Sequence, residues 1–121
     1  TLPLIFILHW KGIWKKYIIP LVGKTIARKG YKTSKILRVD ESGVERLASL
    51  GKTAKIDTAI FRKVVNQLLT AGSVTKDELT TAYSAAIANE VILVLSRVFF
   101  FTLTRKPAGL KYIKFKKYQA G

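Results

Sequence analysis

Residues able to do chemistry are scarce in this sequence. There is one histidine, His9, and there is no cysteine. Without cysteine there is no thiolate zinc site, disulfide or thiol nucleophile, and a lone imidazole does not hold a metal without further His or carboxylate ligands. His9 sits in the apolar run Leu2–Trp10 and reads as a partly buried imidazole with one hydrogen bond. Gly23-Lys24-Thr25 and Gly51-Lys52-Thr53 each carry the end of a phosphate-binding loop, but that loop needs another glycine five residues earlier, where Ile18 and Arg46 stand. Of the seven acids, Asp57, Asp77 and Glu78 fall at expected helix starts, where they offset the helix dipole. Asp40, Glu41 and Glu45 cluster near a turn and a helix start. Glu90 alone lies in a strongly apolar segment and reads as half of a structural ion pair with Arg97 or Arg62. No serine is followed by a plausible base. The expectation is a non-enzymatic protein with no catalytic residue, cofactor or metal.

What remains is cationic and aromatic chemistry, and its distribution is uneven. Lys11 to Arg38 holds nine basic residues and no acid, and Arg97 to Lys117 holds seven and no acid. The stretch from Val39 to Ser96 has six basic and seven acidic residues, so the two ends account for the net charge of +15. Only Phe61 and Tyr83 among the aromatics lie in the neutral middle. Cations neutralise phosphates and release counterions, while exposed aromatic rings stack on bases. The residues expected to contact nucleic acid are therefore Lys11, Trp14, Lys15, Lys16, Lys24, Arg28, Lys29, Tyr31, Lys32 and Lys35 at one end. At the other they are Arg105, Lys106, Lys111, Lys114, Lys116 and Lys117. Phe99-Phe100-Phe101 is expected in the core, since such a run seldom stays wet.

The elements that must position these groups follow from hydrophobic spacing. At 121 residues the chain reads as one folded unit with a modest core. Residues 1–38 read as a basic, aromatic-rich extended arm, and residues 39–121 as a compact α+β domain. Within the arm, LPLIFILHW suggests a strand, IWKKYII one or two helical turns stopped by Pro20, and KILRV a short strand, with irregular chain between. A small helical core is expected over about 43–96. Ser42 and Glu45 have capping-box spacing, which predicts a short helix at about 43–50. Asp57 caps a second helix, whose Ile60, Phe61, Val64, Val65, Leu68 and Leu69 share a face and which Gly72 ends. Thr75 and Glu78 open another, which runs to about Ser96 or breaks near Ser84. Strand formers on either side of a Pro107–Gly109 turn predict a β-hairpin at about 98–117.

This element order is similar to a winged helix. The helix that such an order would use for reading DNA, Ala86 to Arg97, departs from the pattern: it is apolar almost all round, which implies burial in a core or at an oligomer interface and no sequence-specific DNA readout. The expected function is that of a nucleic-acid-binding structural protein, RNA favoured over DNA, such as an RNA-binding component of a ribosome or other ribonucleoprotein. Two other readings share the charge. One is a DNA-packaging or viral nucleocapsid protein; the other is a basic membrane-associated subunit of a larger complex. Neighbouring proteins in an assembly would dock through Ile87–Phe101. A membrane is less favoured, since Leu2–Trp10 is short and Ile87–Leu103 carries Glu90 and Arg97. No secretory signal is evident, and an intracellular or organellar location is expected.

Overall fold

The structure, a computed structural model, describes residues 10–47 and 51–113. Over the described residues it is a mixed α+β fold with four α-helices and two antiparallel sheets. Helix α1 (Trp10–Ile13) passes into a π-helical stretch, Trp14–Ile18, and then a 3-10 turn, Ile19–Leu21, which contains Pro20. This segment buries Ile13, Trp14, Ile18 and Leu21 and leaves Lys11, Lys15 and Lys16 exposed. Next come β1 (Thr25–Ile26), β2 (Ser34–Asp40), β3 (Gly43–Leu47) and β4 (Thr53–Asp57), which pair in that order as one antiparallel sheet. The extended arm expected for residues 1–38 therefore does not hold over 10–38. Ile26 and Ile36 join the four apolar residues above in the same core as the later helices. The strand expected over residues 2–10 lies outside the described residues, apart from Trp10, which begins α1.

The helix expected at 43–50 is a strand over its described part. Asp40 decides the matter locally. Its carboxylate accepts from the Ser42 N–H (2.8 Å), the Ser42 hydroxyl (2.6 Å) and the Gly43 N–H (3.2 Å), closing a tight turn between β2 and β3. Ser42 is thereby used by the turn and caps no helix. Glu45 stands in register with Arg38 on one side and Lys55 on the other, so the spacing that resembled a capping box serves cross-strand pairing. The helical part of the expected 43–96 core accordingly starts only at Thr58.

From there to Gly72 and at Thr75 the caps and stops match their sequence signals. Helix α2 (Thr58–Ala71) is capped by Asp57, whose carboxylate accepts from the Ala59 N–H at 2.8 Å, and it ends at Gly72 in the left-handed region. Strand β5 (Ser73–Thr75) leads into α3 (Lys76–Ala82) through a capping box: the Glu78 N–H donates to Thr75 Oγ1 and the Thr75 N–H donates to Glu78. The chain breaks at Ser84, which caps α4 (Ala85–Leu95) by accepting from the Ile87 N–H. Strands β6 (Phe101–Arg105) and β7 (Ala108–Tyr112) pair across the Lys106–Pro107 turn, and the second sheet has the order β5-β7-β6. Residues 97–100 are turns, so strand structure begins three residues after Val98. Phe100 and Phe101 are core, as expected, but Phe99 is 69% exposed.

Helix α4 is the centre of the molecule. Every residue from Ala88 to Leu95 is buried. This matches its all-round apolar sequence, which leaves no face suited to water.

Strands β5 and β7 approach closely at Gly109, opposite Thr75. A Cβ there would overlap the carbonyl oxygen of Val74. Gly109→Ala is therefore expected to lower stability by about 2 kcal/mol in urea unfolding. A value within error of the parent would show that the strands part there at little cost.

Candidate nucleic-acid interface

The fold brings cations together at the start of α4. A cleft of about 810 Å³ is lined by Lys32, Arg46, Lys52 and Lys76, together with Gly30, Tyr31, Ala85, Ala86 and Asn89. A second hollow of about 280 Å³ shares Gly30, Tyr31 and Lys76 with it and adds Lys29, Arg105, Thr104 and Ala108. The two hollows adjoin at these shared residues, and together, as the groove, they are lined by Lys29, Lys32, Arg46, Lys52, Lys76 and Arg105. No carboxylate among the described residues lines either hollow. A concave, cation-lined surface focuses the field and attracts anions more strongly than scattered surface lysines do.

Several of these cations have an identifiable anchor. The loop carrying Lys32 is clamped to α4 by two bonds: the Lys32 N–H donates to Asn89 Oδ1 (2.9 Å) and Asn89 Nδ2 donates to the Lys32 carbonyl (3.0 Å). Lys76 is the first residue of α3, held by the Thr75 cap. Lys52 follows Gly51, whose φ of 77° makes the turn into β4. Arg105 ends β6. Ala85 and Ala86 open α4, and their N–H groups have no acceptor within the helix.

Arg46 follows from strand periodicity. Side chains alternate along β3, so Arg46 shares the inward side with buried Val44, and on β2 Ser34 and Ile36 face inward in the same way. Arg46 therefore meets Glu90 on α4. Its Nε lies 3.4 Å from Glu90 Oε1, the two side chains being 15% and 0% exposed. This replaces the expected partners Arg97 and Arg62. Neither Glu90 oxygen has a well-formed hydrogen bond, and the Arg46 Nε has none either. Burial pushes the Glu90 carboxyl above the usual carboxylate range, against the opposing pull of the Ser34 hydroxyl and Arg46.

Of the residues expected to bind nucleic acid, Lys29, Tyr31, Lys32 and Arg105 line the groove. Lys11, Lys15, Lys16, Lys24, Lys35, Lys106 and Lys111 are exposed elsewhere, and Arg28 is half-buried. Trp14 is a correction. It is 8% exposed, with ring centroids 5.1 Å from Trp10 and 6.0 Å from Phe61, so it packs the core and is not free to stack on a base. Tyr31 has a ring face occupied by the Lys76 ammonium, 4.8 Å from its centroid. Lys114, Lys116 and Lys117 lie outside the described residues. Arg46, Lys52 and Lys76 were hidden from sequence reasoning because they belong to the electrically neutral middle of the chain. The inward alternation of Val44 and Arg46 was the available signal for one of them. Among the described residues no helix is long and apolar enough to cross a membrane.

The sign of the pH effect follows from the direction of the Glu90 shift. Its folded-state pKa is raised, so the penalty for burying the charge is absent below the unfolded pKa and grows as pH rises through the folded one. Glu90→Gln is expected to gain about 1 kcal/mol over the parent at about pH 8 and to lose that gain at about pH 4. Arg46→Ala, which strands the carboxylate, should cost about 3 kcal/mol at the higher pH and less at the lower. Thermal unfolding of both variants at the two pH values checks this; pH-independent differences would contradict it.

No protein-family model, curated protein or solved structure matches this chain, so the reading of the groove rests on its own geometry.

Proposed function

We propose that this protein is a non-enzymatic nucleic-acid-binding structural protein that holds an RNA backbone in the groove at the start of α4, as a component of a ribonucleoprotein such as a ribosome. The observation that carries this reading is the convergence of six cations from separate segments on one groove lined by no carboxylate among the described residues. Phosphates are the natural counter-charge for such a surface.

RNA is preferred over duplex DNA because of α4. The order α2-β5-α3-α4-β6-β7 with sheet order β5-β7-β6 is winged-helix-like, and in that arrangement α4 would enter the major groove. Here its middle and end are buried, and β2, β3 and the Lys32 loop reach it through Ser34, Arg46 and the Asn89 clamp. Recognition then runs through shape and backbone contacts, which suits structured RNA. DNA packaging is the second reading, since phosphate contact is common to both.

The test is a salt titration of binding to a structured RNA and to a duplex DNA. The triple variant Lys32→Ala, Lys52→Ala, Lys76→Ala is expected to weaken RNA binding and to flatten the log–log salt slope by roughly two units. Lys11→Ala, Lys15→Ala, Lys16→Ala, on α1 and the π-helical stretch away from the groove, should change both far less. The reverse ranking would move the interface to α1, and equal affinity for duplex DNA would favour packaging.

A further inference from the structure

We propose that Arg46 is shared between Glu90 and a phosphate bound in the cleft, so that binding there is linked to the uptake of one proton by Glu90. This deepens the groove reading above and rests on it. Three observations carry it. Arg46 lines the cleft while its Nε contacts a carboxylate with no exposure to water. That contact is weak, at 3.4 Å, and no hydrogen bond closes it. Among the described residues Arg46 is the charged group that acts on Glu90, from β3, and the Ser34 hydroxyl faces it from β2. On α4 itself the neighbouring Asn89 is already paired with Lys32.

A guanidinium grips a phosphate with two parallel N–H donors, which is a stronger arrangement than its present contact with Glu90. Turning toward the cleft trades the single Nε contact for that grip, and the cost of the trade falls on Glu90. Glu90 then remains buried with its counter-charge withdrawn and a second anion nearby. A buried carboxylate in that position relieves its cost by neutralising. The proton comes from solvent and forms one O–H bond on the carboxylate; no other covalent bond changes. The Ser34 hydroxyl, which favours the carboxylate as a donor, can accept from the resulting acid instead, so the protonated state keeps a partner. A structural role alone gives Glu90 no reason to be ionisable, since an apolar residue of similar volume would pack α4 at least as well.

The linkage has a defined direction. Below the Glu90 pKa of the free protein both states are protonated and affinity is flat. Between the free and bound values affinity falls as pH rises, with a limiting slope of about one log unit per pH unit. Above the bound value it is flat again. The other described carboxylates with resolved shifts, Asp40 and Glu78, are moved the opposite way by their hydrogen bonds, Asp40 chiefly through Ser42 and Glu78 chiefly through Thr75.

The experiment is calorimetric titration of the full chain with one structured RNA, from about pH 5 to about pH 8, in buffers of differing ionisation enthalpy. The parent is expected to take up as much as one proton on binding. Glu90→Gln should bind tightly across the range with that uptake gone, and His9→Gln should behave as the parent does. The ¹³C shift of the parent's Glu90 carboxyl, read with and without RNA, reports the same proton without any substitution. A carboxyl that stays ionised in the complex, or uptake that survives in Glu90→Gln, overturns the linkage and leaves the groove standing. Absence of RNA binding by parent and variant alike overturns the groove reading and the linkage with it.

Discussion

A helix that is apolar almost all round has to be surrounded, and α4 imposes that requirement on the rest of this fold. Ala88 to Leu95 are all buried. Five of them are Val, Ile or Leu, and their burial contributes roughly 10 kcal/mol at about 2 kcal/mol each, an upper figure because unfolded chains already hide some surface. The core that encloses the helix draws on α1, the first sheet, α2, α3 and the second sheet together. The first sheet is therefore no appendage. It supplies Ile36, Val44 and Ile56 to the same core, and Ser34 and Arg46 to the polar spot where Glu90 interrupts the apolar surface.

The enclosure has consequences at the end of α4 that stays open. Ala85 and Ala86 are exposed, and the loop before β2, the rim of β3 and the first residue of α3 all arrive there. Each brings a cation for a separate local reason: a clamp by Asn89, a strand alternation and a capped helix start. The field at the groove adds these contributions. On the reading proposed above, the same packing that removes α4 from major-groove contact creates the surface that holds phosphates. Affinity and the loss of duplex readout then have one structural origin.

Legibility in the sequence divides along the range of the forces involved. The caps at Asp57 and Thr75, the stop at Gly72 and the apolar face of α2 were readable because each depends on neighbours within four residues. Ser42–Glu45 was misread for an instructive reason: Asp40 is also within reach of Ser42, and a turn closed by three hydrogen bonds removes the would-be helix cap. Trp14 was misread because an aromatic flanked by lysines looks like a stacking residue, while its burial depends on Phe61, far along the chain. The charge segregation pointed to a polyanion and put the expected contacts at the two ends. Half of the groove's six cations come from the neutral middle, where Glu41, Asp57 and other acids that do not line the groove cancel them in any tally along the chain.

By itself, the sequence determined α2, helical structure from Thr75 onward with the break at Ser84 left open, the buried character of residues 86–97, the excess of cations and the absence of cysteine chemistry. These rest on composition and on spacing within a few residues, which capping, helical periodicity and local charge convert directly into structure. Only the tertiary structure decided that residues 10–38 fold into the core, that Glu90 meets Arg46 and that Lys32, Lys52 and Lys76 share a cleft. Those outcomes depend on which strands pair and on what covers α4. They are settled by the burial of a common core from segments dozens of residues apart, and no local pattern encodes that.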